Sequence, residues 1–268
     1  MKRFLLLLCA LLSFSALAAP KADLWPYWQQ SNEVNQTSIS HLEWQQLLDS
    51  YLVTRGDNTL FRYNQVSFAD KTKLKQYIQR LASLNPLQYR QAEQYAYWVN
   101  LYNALTVGLI LDNYPITSIT KLGGLFSFGP WDQDVITING KSLTLNDIEH
   151  RILRPIWQDP RTHYAVNCAS LGCPNLQTQA FTAENTQTLL ESAAKTFINS
   201  KKGVSIEGDT AKLSSIYEWF AVDFGGEEEV FNHIRKYAPQ YNHFSGRVKY
   251  DYDWNLNQAD RLIHPCSA

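Results

Sequence analysis

The stretch that decides the fold is residues 87–113, which read LQYRQAEQYAYWVNLYNALTVGLILDN. Apolar and aromatic side chains fill most of its helical positions, while Asn85-Pro86 before it and Pro115 after it mark its ends. A helix that is apolar on nearly all sides is buried at the centre of a protein. This stretch therefore predicts a long central helix around which the rest of the chain packs.

Three polar side chains, Glu93, Asn100 and Asn103, interrupt this otherwise apolar helix. Their offsets of seven and three residues place them along one side of it. A buried carboxylate or amide is costly unless it is hydrogen-bonded. Two hypotheses stay open: the three side chains hold loop backbone in a structural network, or Glu93 serves a histidine as orienter or proton acceptor.

The composition excludes several classes of protein. The chain has 268 residues and a formal net charge of −1, with 45% hydrophobic, 13% aromatic and 18% charged residues. Disordered chains carry more charge and fewer aromatics, and nucleic-acid-binding domains carry a basic surface. Only the first twenty residues contain a long apolar run, which excludes a multi-span membrane protein. We therefore expect a globular protein with an aromatic-rich core and no nucleic-acid partner.

The first eighteen residues have the pattern of an export signal. Lys2 and Arg3 precede the apolar run of residues 4–12, and residues 16–18 (ALA) match a signal-peptidase site. The alternative is an N-terminal membrane anchor, for which the run is too short. We therefore predict cleavage after residue 18, a periplasmic or secreted protein, and no stable membrane anchor after cleavage.

The pattern along the chain predicts one α+β domain, because no linker, repeat or low-complexity tract divides it. We expect several helices packed on a small antiparallel sheet with hairpins at Asn139-Gly140 and Gly208-Asp209. The predicted helices span about residues 40–53, 70–84, 87–113, 146–155, 182–198, 215–224 and 226–237, and short strands span 163–168 and 248–254. The predicted divisions are a signal peptide (1–18), an N-terminal arm and helix (19–59), the main domain (60–257) and a C-terminal tail (258–268).

Histidine and cysteine residues concentrate in one short part of the chain. Glu149 and His150 are followed by His163, Cys168 and Cys173. A thiolate nucleophile needs a nearby imidazole to lower its pKa and carry its proton. The imidazole needs a carboxylate or amide to fix its tautomer. An alternative interpretation is that the two cysteines form a tight disulfide or are simply buried thiols.

The predicted cleavage removes Cys9 and leaves Cys168, Cys173 and Cys266, an odd number for an oxidising compartment. We predict a Cys173–Cys266 disulfide, which leaves Cys168 free. A zinc site built from the histidine and cysteine cluster is a further alternative. The HExxH motif and the CxxC spacing of zinc sites are absent from the sequence, so we predict no metal and no cofactor.

Several motifs in order resemble domain-of-unknown-function family 547. They are Glu93–Asn103 (EQYAYWVNLYN), Leu145–Arg154 (LNDIEHRILR), Asp159–Pro174 (DPRTHYAVNCASLGCP), Leu213–Phe224 (LSSIYEWFAVDF) and Tyr252–Asn257 (YDWNLN). The resemblance covers roughly residues 60–257. It implies an exported bacterial protein of the stand-alone type, since the heptad region of plant relatives is missing. The arrangement of Glu, His and Cys also resembles, by analogy alone, a rearranged papain- or transglutaminase-like core.

The sequence leaves two hypotheses for the function. The first is a thiol-dependent hydrolase or acyltransferase acting on amide or peptide-like bonds, with Cys168 as nucleophile, His150 as general base and Glu93 as the orienting carboxylate. The supporting or oxyanion-binding residues would be His163, Asn100, Asn103 and Asn167. The second is a non-catalytic envelope binding module, in which the same polar residues form a structural network or hold a ligand. Either function is compatible with a small-molecule or peptide-like ligand.

Overall fold

The computed structural model describes residues 20–123 and 128–259. The predicted signal peptide, Cys9 and Cys266 lie outside these residues. The α-helices are α1 (Leu42–Tyr51), α2 (Phe68–Ser83), α3 (Gln91–Asn113), α4 (Arg154–Trp157), α5 (Thr186–Ile198), α6 (Ile216–Trp219) and α7 (Glu227–Tyr237). The strands are β1 (Leu52–Arg55), β2 (Asn58–Phe61), β3 (Ile136–Ile138), β4 (Lys141–Leu143), β5 (Val204–Glu207), β6 (Thr210–Ser214) and β7 (Arg247–Asp251). The structure is an α+β single domain, as the sequence predicts.

The helix α3 lies at the centre of the larger hydrophobic core, as its sequence predicts. Trp98 is fully buried in it and meets the ring of Trp28 edge-on, with 5.2 Å between ring centroids. The hydroxyl of Tyr97 donates to the backbone carbonyl of Leu81 on α2 at 2.9 Å. The N-terminal arm and α2 therefore pack on the same helix as the rest of the domain.

Three small sheets replace the single sheet that the sequence predicts. The hairpins β1–β2, β3–β4 and β5–β6 are antiparallel. In the β3–β4 turn, Asn139 and Gly140 both have positive φ (51° and 71°), as a two-residue hairpin turn requires. The strand β7 pairs with β6 in the parallel direction, which corrects the all-antiparallel expectation. The chain between β6 and β7 contains α6 and α7, a connection long enough to return to the same end of the sheet.

A second hydrophobic cluster packs α5 and α7 against the β5–β6–β7 sheet. Phe197, Tyr217 and Ile234 are buried in it. The ring of Tyr164, just ahead of the cysteine loop, packs on Phe197 and its hydroxyl bonds with that of Tyr217 at 3.1 Å. This cluster therefore supports the chain on the approach to the two cysteines. None of the helices in the described residues is both long and apolar enough to cross a lipid bilayer.

The predicted strand at residues 163–168 is wrong. Residues Pro160–Tyr164 form a 3₁₀ helix, and the chain then continues as an irregular loop. The side chain of Asp159 accepts a hydrogen bond from the backbone N–H of Arg161 at 2.9 Å, which caps this turn. Pro160 supplies the fixed φ angle that a first helical position favours. Local capping therefore outweighs the short apolar run.

Two further elements differ from prediction near the cysteine loop. The helix expected from residue 146 is a π-helical segment, Asp147–Leu153, in which the N–H of Arg154 reaches the carbonyl of Glu149. This segment continues into α4. The final strand ends at Asp251, because the following backbone pairs with the cysteine loop instead: Asp253 accepts from Gly172 at 2.8 Å. Short π-helical segments occur often at functional sites.

Candidate functional site

A cavity of about 1020 Å³ opens beside the cysteine loop. Its lining includes Tyr102 on α3, Glu149 and His150 on the π-helical segment, and His163, Cys168 and Cys173. We name the two cysteines with their hydrogen-bond partners Ser170 and Tyr252 the thiol end. We name Glu149, His150 and His163 with their partners Arg154 and Asp223 the histidine end. The fold thus brings the predicted histidines and cysteines to one cavity.

The cysteine loop, residues 167–174, is held by amide side chains. Asn167 accepts a hydrogen bond from the N–H of Ala169 at 2.9 Å and donates to the carbonyl of Pro174 at 2.7 Å. The N–H of Asn167 donates in turn to Oδ1 of Asn103 on α3 at 2.8 Å. Ala169 has a φ of +57°, which is unfavourable for a residue with a side chain. The amide network compensates this strain and fixes the loop against the central helix.

Gly172 lets the loop approach the segment after β7. A Cβ atom at this position would lie 2.6 Å from the backbone nitrogen of Asp253, which is closer than atoms can pack. The N–H of Leu171 also donates to the carbonyl of Asn255 at 2.8 Å. These contacts bring Tyr252 from the far end of the sequence beside Cys168.

Four polar groups meet at the thiol end. The Sγ atoms of Cys168 and Cys173 are 3.1 Å apart, and neither cysteine is in a disulfide. Sγ of Cys168 also lies 3.1 Å from the Tyr252 hydroxyl and 3.2 Å from the Ser170 hydroxyl. The Cys168 thiol donates to Sγ of Cys173, and in its contacts with the two hydroxyls either atom can be the donor. When Cys168 is ionised, all three neighbours can turn their hydrogens towards its sulfur. The site is therefore built to accept negative charge on Cys168.

The two thiols titrate differently. Hydrogen bonding from Cys173 lowers the pKa of the Cys168 thiol most, burial opposes that shift, and the Ser170 and Tyr252 hydroxyls bring the pKa to about 7. Burial raises the pKa of Cys173, and its bond to Cys168 adds to the rise. Cys168 is therefore the cysteine that ionises first, and it reaches the cavity, whereas Cys173 is only 5% exposed.

The histidine end is organised by a carboxylate and a guanidinium. Nε2 of His163 lies 2.7 Å from Oδ2 of Asp223, and the same oxygen accepts from Nε of Arg154 at 2.6 Å. Burial would raise the pKa of Asp223, but the bonds from His163 and Arg154 outweigh it and lower the pKa to about 2. Since Asp223 is ionised, Nε2 of His163 carries a hydrogen and donates it. Nδ1 of His163 is 3.8 Å from Oε1 of Glu149, beyond direct hydrogen-bond distance.

The tautomer of His150 follows from its neighbour. Its Nδ1 lies 2.9 Å from Nη1 of Arg154, and arginine only donates hydrogen bonds. Nδ1 is therefore the acceptor, and the hydrogen of the neutral ring is on Nε2. Burial lowers the pKa of His150 to about 4, with the Glu149 charge opposing the shift. The geometry does not support His150 as a general base, because its one lone pair already accepts from Arg154.

Glu149 reaches the cavity because it does not cap the helix. The capping pair is instead Thr144 and Asp147: the N–H of Asp147 donates to Oγ1 of Thr144, and the N–H of Thr144 donates to Oδ2 of Asp147, both at 2.9 Å. The Glu149 carboxyl contributes to raising the pKa of Tyr102, behind burial as the main cause. Glu149 is thus placed among cavity side chains rather than at a helix terminus.

The predicted carboxylate Glu93 does not lie with the histidines. Its Oε1 accepts from the N–H of Ile39 at 2.7 Å, and its Oε2 is 3.7 Å from Nη2 of Arg90. Burial raises the pKa of Glu93. Oε2 has no hydrogen-bond partner among the residues that the structure describes. Glu93 therefore holds the N-terminal arm, and the carboxylates beside His163 are Glu149, which lines the cavity, and Asp223.

The asparagines of α3 likewise bind backbone. Asn100 donates to the carbonyl of Phe181 at 2.7 Å and accepts from its N–H at 3.0 Å. Asn103 donates to the carbonyl of Ala165 at 3.0 Å and accepts from Asn167. The structural network that the sequence left open as one hypothesis therefore describes both residues: Asn103 positions the cysteine loop, and Asn100 holds the chain at Phe181.

An aromatic wall, formed by Phe128, Trp131, Trp219, Tyr252 and Trp254, lines the cavity beside the thiol end. The rings of Trp219 and Trp254 stack with 5.7 Å between centroids, and Tyr252 lies 4.6 Å from Trp254. Trp131 meets Trp254 edge-on at 5.7 Å. Such a surface can bind flat or apolar parts of a ligand.

The predicted Cys173–Cys266 disulfide is not formed at Cys173, whose sulfur is buried against Cys168 instead. Cys266 lies outside the described residues. Within residues 20–123 and 128–259, no group of three or more His, Cys, Asp or Glu side chains is arranged to hold a metal ion. The arrangement thus offers thiol chemistry and hydrogen bonding to a ligand.

Three residues at the cavity lacked a functional interpretation in the sequence: Arg154, Asp223 and Tyr252. All three occur in the motifs that resemble the family, which was the one signal available for them. Asp223 is sixty positions from His163 and Tyr252 is eighty-four from Cys168, so spacing could not connect them.

The family model described as "Protein of unknown function, DUF547" matches residues 86–198. This range contains both cysteines and both histidines of the cavity, whereas Trp219, Asp223, Tyr252 and Trp254 lie beyond it. The chain has no match among curated proteins or among solved structures. The papain- and transglutaminase-like analogy stays a prediction. The match supports the resemblance of residues 86–198 to domain-of-unknown-function family 547.

Proposed function

We propose that the protein is a thiol-dependent hydrolase or acyltransferase that acts on amide or peptide-like bonds, with Cys168 as its nucleophile. One observation carries the proposal: the Cys168 sulfur meets a ligand-sized cavity while three side chains stand within 3.2 Å to stabilise its thiolate. A thiolate formed in this way needs no direct histidine contact to be nucleophilic.

In the first step, the Cys168 thiolate attacks the carbonyl carbon of the substrate and the carbonyl oxygen takes on negative charge. The Nε2–H of His150 is the donor at the cavity for that oxygen, because Arg154 fixes its tautomer. Collapse expels the leaving group, which takes a proton, and leaves a thioester on Cys168. The aromatic wall would hold the acyl group beside the sulfur.

In the second step, water hydrolyses the thioester or an amine or alcohol accepts the acyl group. His163 supplies the base for this step, since Asp223 holds its Nε2–H and leaves the lone pair on Nδ1. Asp223 and His163 therefore replace Glu93 and His150 as the carboxylate–histidine pair of the hypothesis. Sequence alone favoured Glu93 and His150, because Glu93 interrupts an apolar helix and His150 lies on the predicted helix before Cys168.

The test uses p-nitrophenyl acetate with the reduced protein at neutral pH. We expect a burst of p-nitrophenol and an acetyl group on Cys168 in the peptide map. C168S removes the burst, because a serine hydroxyl remains protonated at this pH, while H163Q keeps the burst and slows the turnover that follows by roughly 10²-fold or more. Acetylation of C168S as fast as the wild type overturns the assignment of the nucleophile.

A non-catalytic envelope binding module is the second candidate. It is favoured by the absence of any histidine among the hydrogen-bond partners that the structure gives Cys168. This function predicts that an N-acetylated aromatic dipeptide amide quenches tryptophan fluorescence equally in wild type and C168S, without cleavage. Cleavage by the wild type alone favours the hydrolase.

We also propose that the protein is exported, as residues 1–18 predict. Expression of the full chain in a Gram-negative host, followed by N-terminal sequencing of the periplasmic fraction, tests this. The expected mature terminus is Ala19. An intact Met1 terminus in the cytosolic fraction contradicts the proposal.

A further inference from the structure

Two thiols face each other at the thiol end, and acyl transfer uses only one of them. Sγ of Cys168 and Sγ of Cys173 are 3.1 Å apart, while a disulfide bond is about 2.05 Å long. An approach of roughly one ångström would join them. The five-residue separation and the loop that holds them keep the two sulfurs together in the reduced state.

We propose that Cys168 and Cys173 form a redox-active dithiol that reduces small-molecule disulfides entering the cavity. This activity is independent of acyl transfer, although it employs the same exposed sulfur. Both cysteines line the cavity; the attacking group is Cys168, which is the more exposed, and the resolving group is Cys173, which is 5% exposed.

The reaction balances in two exchanges. The Cys168 thiolate attacks one sulfur of a disulfide RSSR, the external S–S bond breaks, and RS⁻ leaves and takes a proton. Cys173 then loses its proton and attacks the Cys168 sulfur of the mixed disulfide, which releases the second RS⁻ as RSH. Two cysteine thiols are oxidised to one internal disulfide, and one external disulfide is reduced to two thiols.

A backbone group supports the second exchange, in which Cys173 must ionise. The backbone N–H of Cys168 donates to Sγ of Cys173 at 3.0 Å and stabilises negative charge on it.

Direct oxidation with 2-hydroxyethyl disulfide tests the proposal. The wild-type protein, reduced and then freed of reductant, should lose the mass of two hydrogens, and peptide mapping should show Cys168 joined to Cys173. C173S should stop at a stable adduct on Cys168, and C168S should react at least ~10-fold more slowly. Dithiothreitol should restore the reduced wild-type mass. A wild type that stays reduced, or that keeps the adduct as C173S does, overturns the proposal.

The acetylation assay is performed in reductant, so failure of the exchange and failure of acyl transfer are separate outcomes.

Discussion

The two ends of the cavity provide different kinds of partners for their buried polar groups. At the histidine end, permanent charges fix each group: Asp223 accepts from both Arg154 and His163, and Arg154 fixes the tautomer of His150. At the thiol end, neutral hydroxyl and thiol groups surround Cys168, and their hydrogens can rotate. The groups of the histidine end are therefore held in fixed orientations, and the thiol end is where the nucleophile can become charged.

The largest expected effect is a loss of stability when a charged partner is removed at the histidine end. The Arg154 side chain is 2% exposed, so R154M leaves the Asp223 carboxylate without its charged partner and should lower the free energy of unfolding by about 3–5 kcal/mol. Arg151, at 38% exposure with Asp147, provides the matched control, since R151M should cost about 0.3–0.5 kcal/mol. Urea denaturation measures both. Equal losses contradict a charge scaffold at this end.

The next effect is a pH dependence of stability from buried histidines. Burial lowers the pKa of His150 to about 4, below the ~6.5 of the unfolded chain. The unfolded state therefore takes up the proton first, so stability falls as the pH drops from 6.5 to about 4 and then levels. Each such histidine contributes a slope of up to ~1.4 kcal/mol per pH unit.

His41 and His233 also have pKa values lowered to about 4 by burial, so the slopes add. H150Q should reduce the slope of unfolding free energy against pH, between pH 6.5 and about 4, by the contribution of this one histidine. H243Q, at an exposed position, is the control for the effect of a histidine-to-glutamine substitution itself. An unchanged slope in H150Q indicates that this ring is solvated in the folded protein.

The smallest expected effect is a shift in the pKa of Cys168 when one hydrogen-bond donor is removed at the thiol end. Y252F removes one donor to the Cys168 thiolate, a hydrogen bond worth about 1 kcal/mol, so the pKa of Cys168 should rise by roughly 0.7 units. The pH profile of iodoacetamide alkylation measures the shift. Y250F is the control, because Tyr250 packs in the second hydrophobic cluster. A shift of the same size in Y250F excludes the specific role of the Tyr252 hydroxyl.

Sequence patterns predicted the parts of the fold that depend on local forces. Apolar periodicity identified α3, and Asn139-Gly140 identified a hairpin, because both signals act within a few residues. The partners of buried polar groups were not predictable in this way. Glu93 could be assigned to a histidine only by assumption, and its partner is a backbone N–H 54 positions away.

The candidate site shows the same limit. His150, His163 and Cys168, which lie close together in sequence, all line one cavity. Their roles depend on Arg154 and Asp223, and the tautomer of each histidine follows only from those contacts. The π-helical segment also depends on packing, since the sequence favours an ordinary capped helix there.

The most direct measurement is the pH dependence of alkylation of the reduced wild-type protein, followed by peptide mapping. Our account predicts that Cys168 is labelled before Cys173, with a rate that rises through a midpoint near pH 7. Labelling of Cys173 first, or a Cys168 midpoint near the ~8.5 of an ordinary thiol, contradicts the claim that the thiol end stabilises a nucleophilic thiolate.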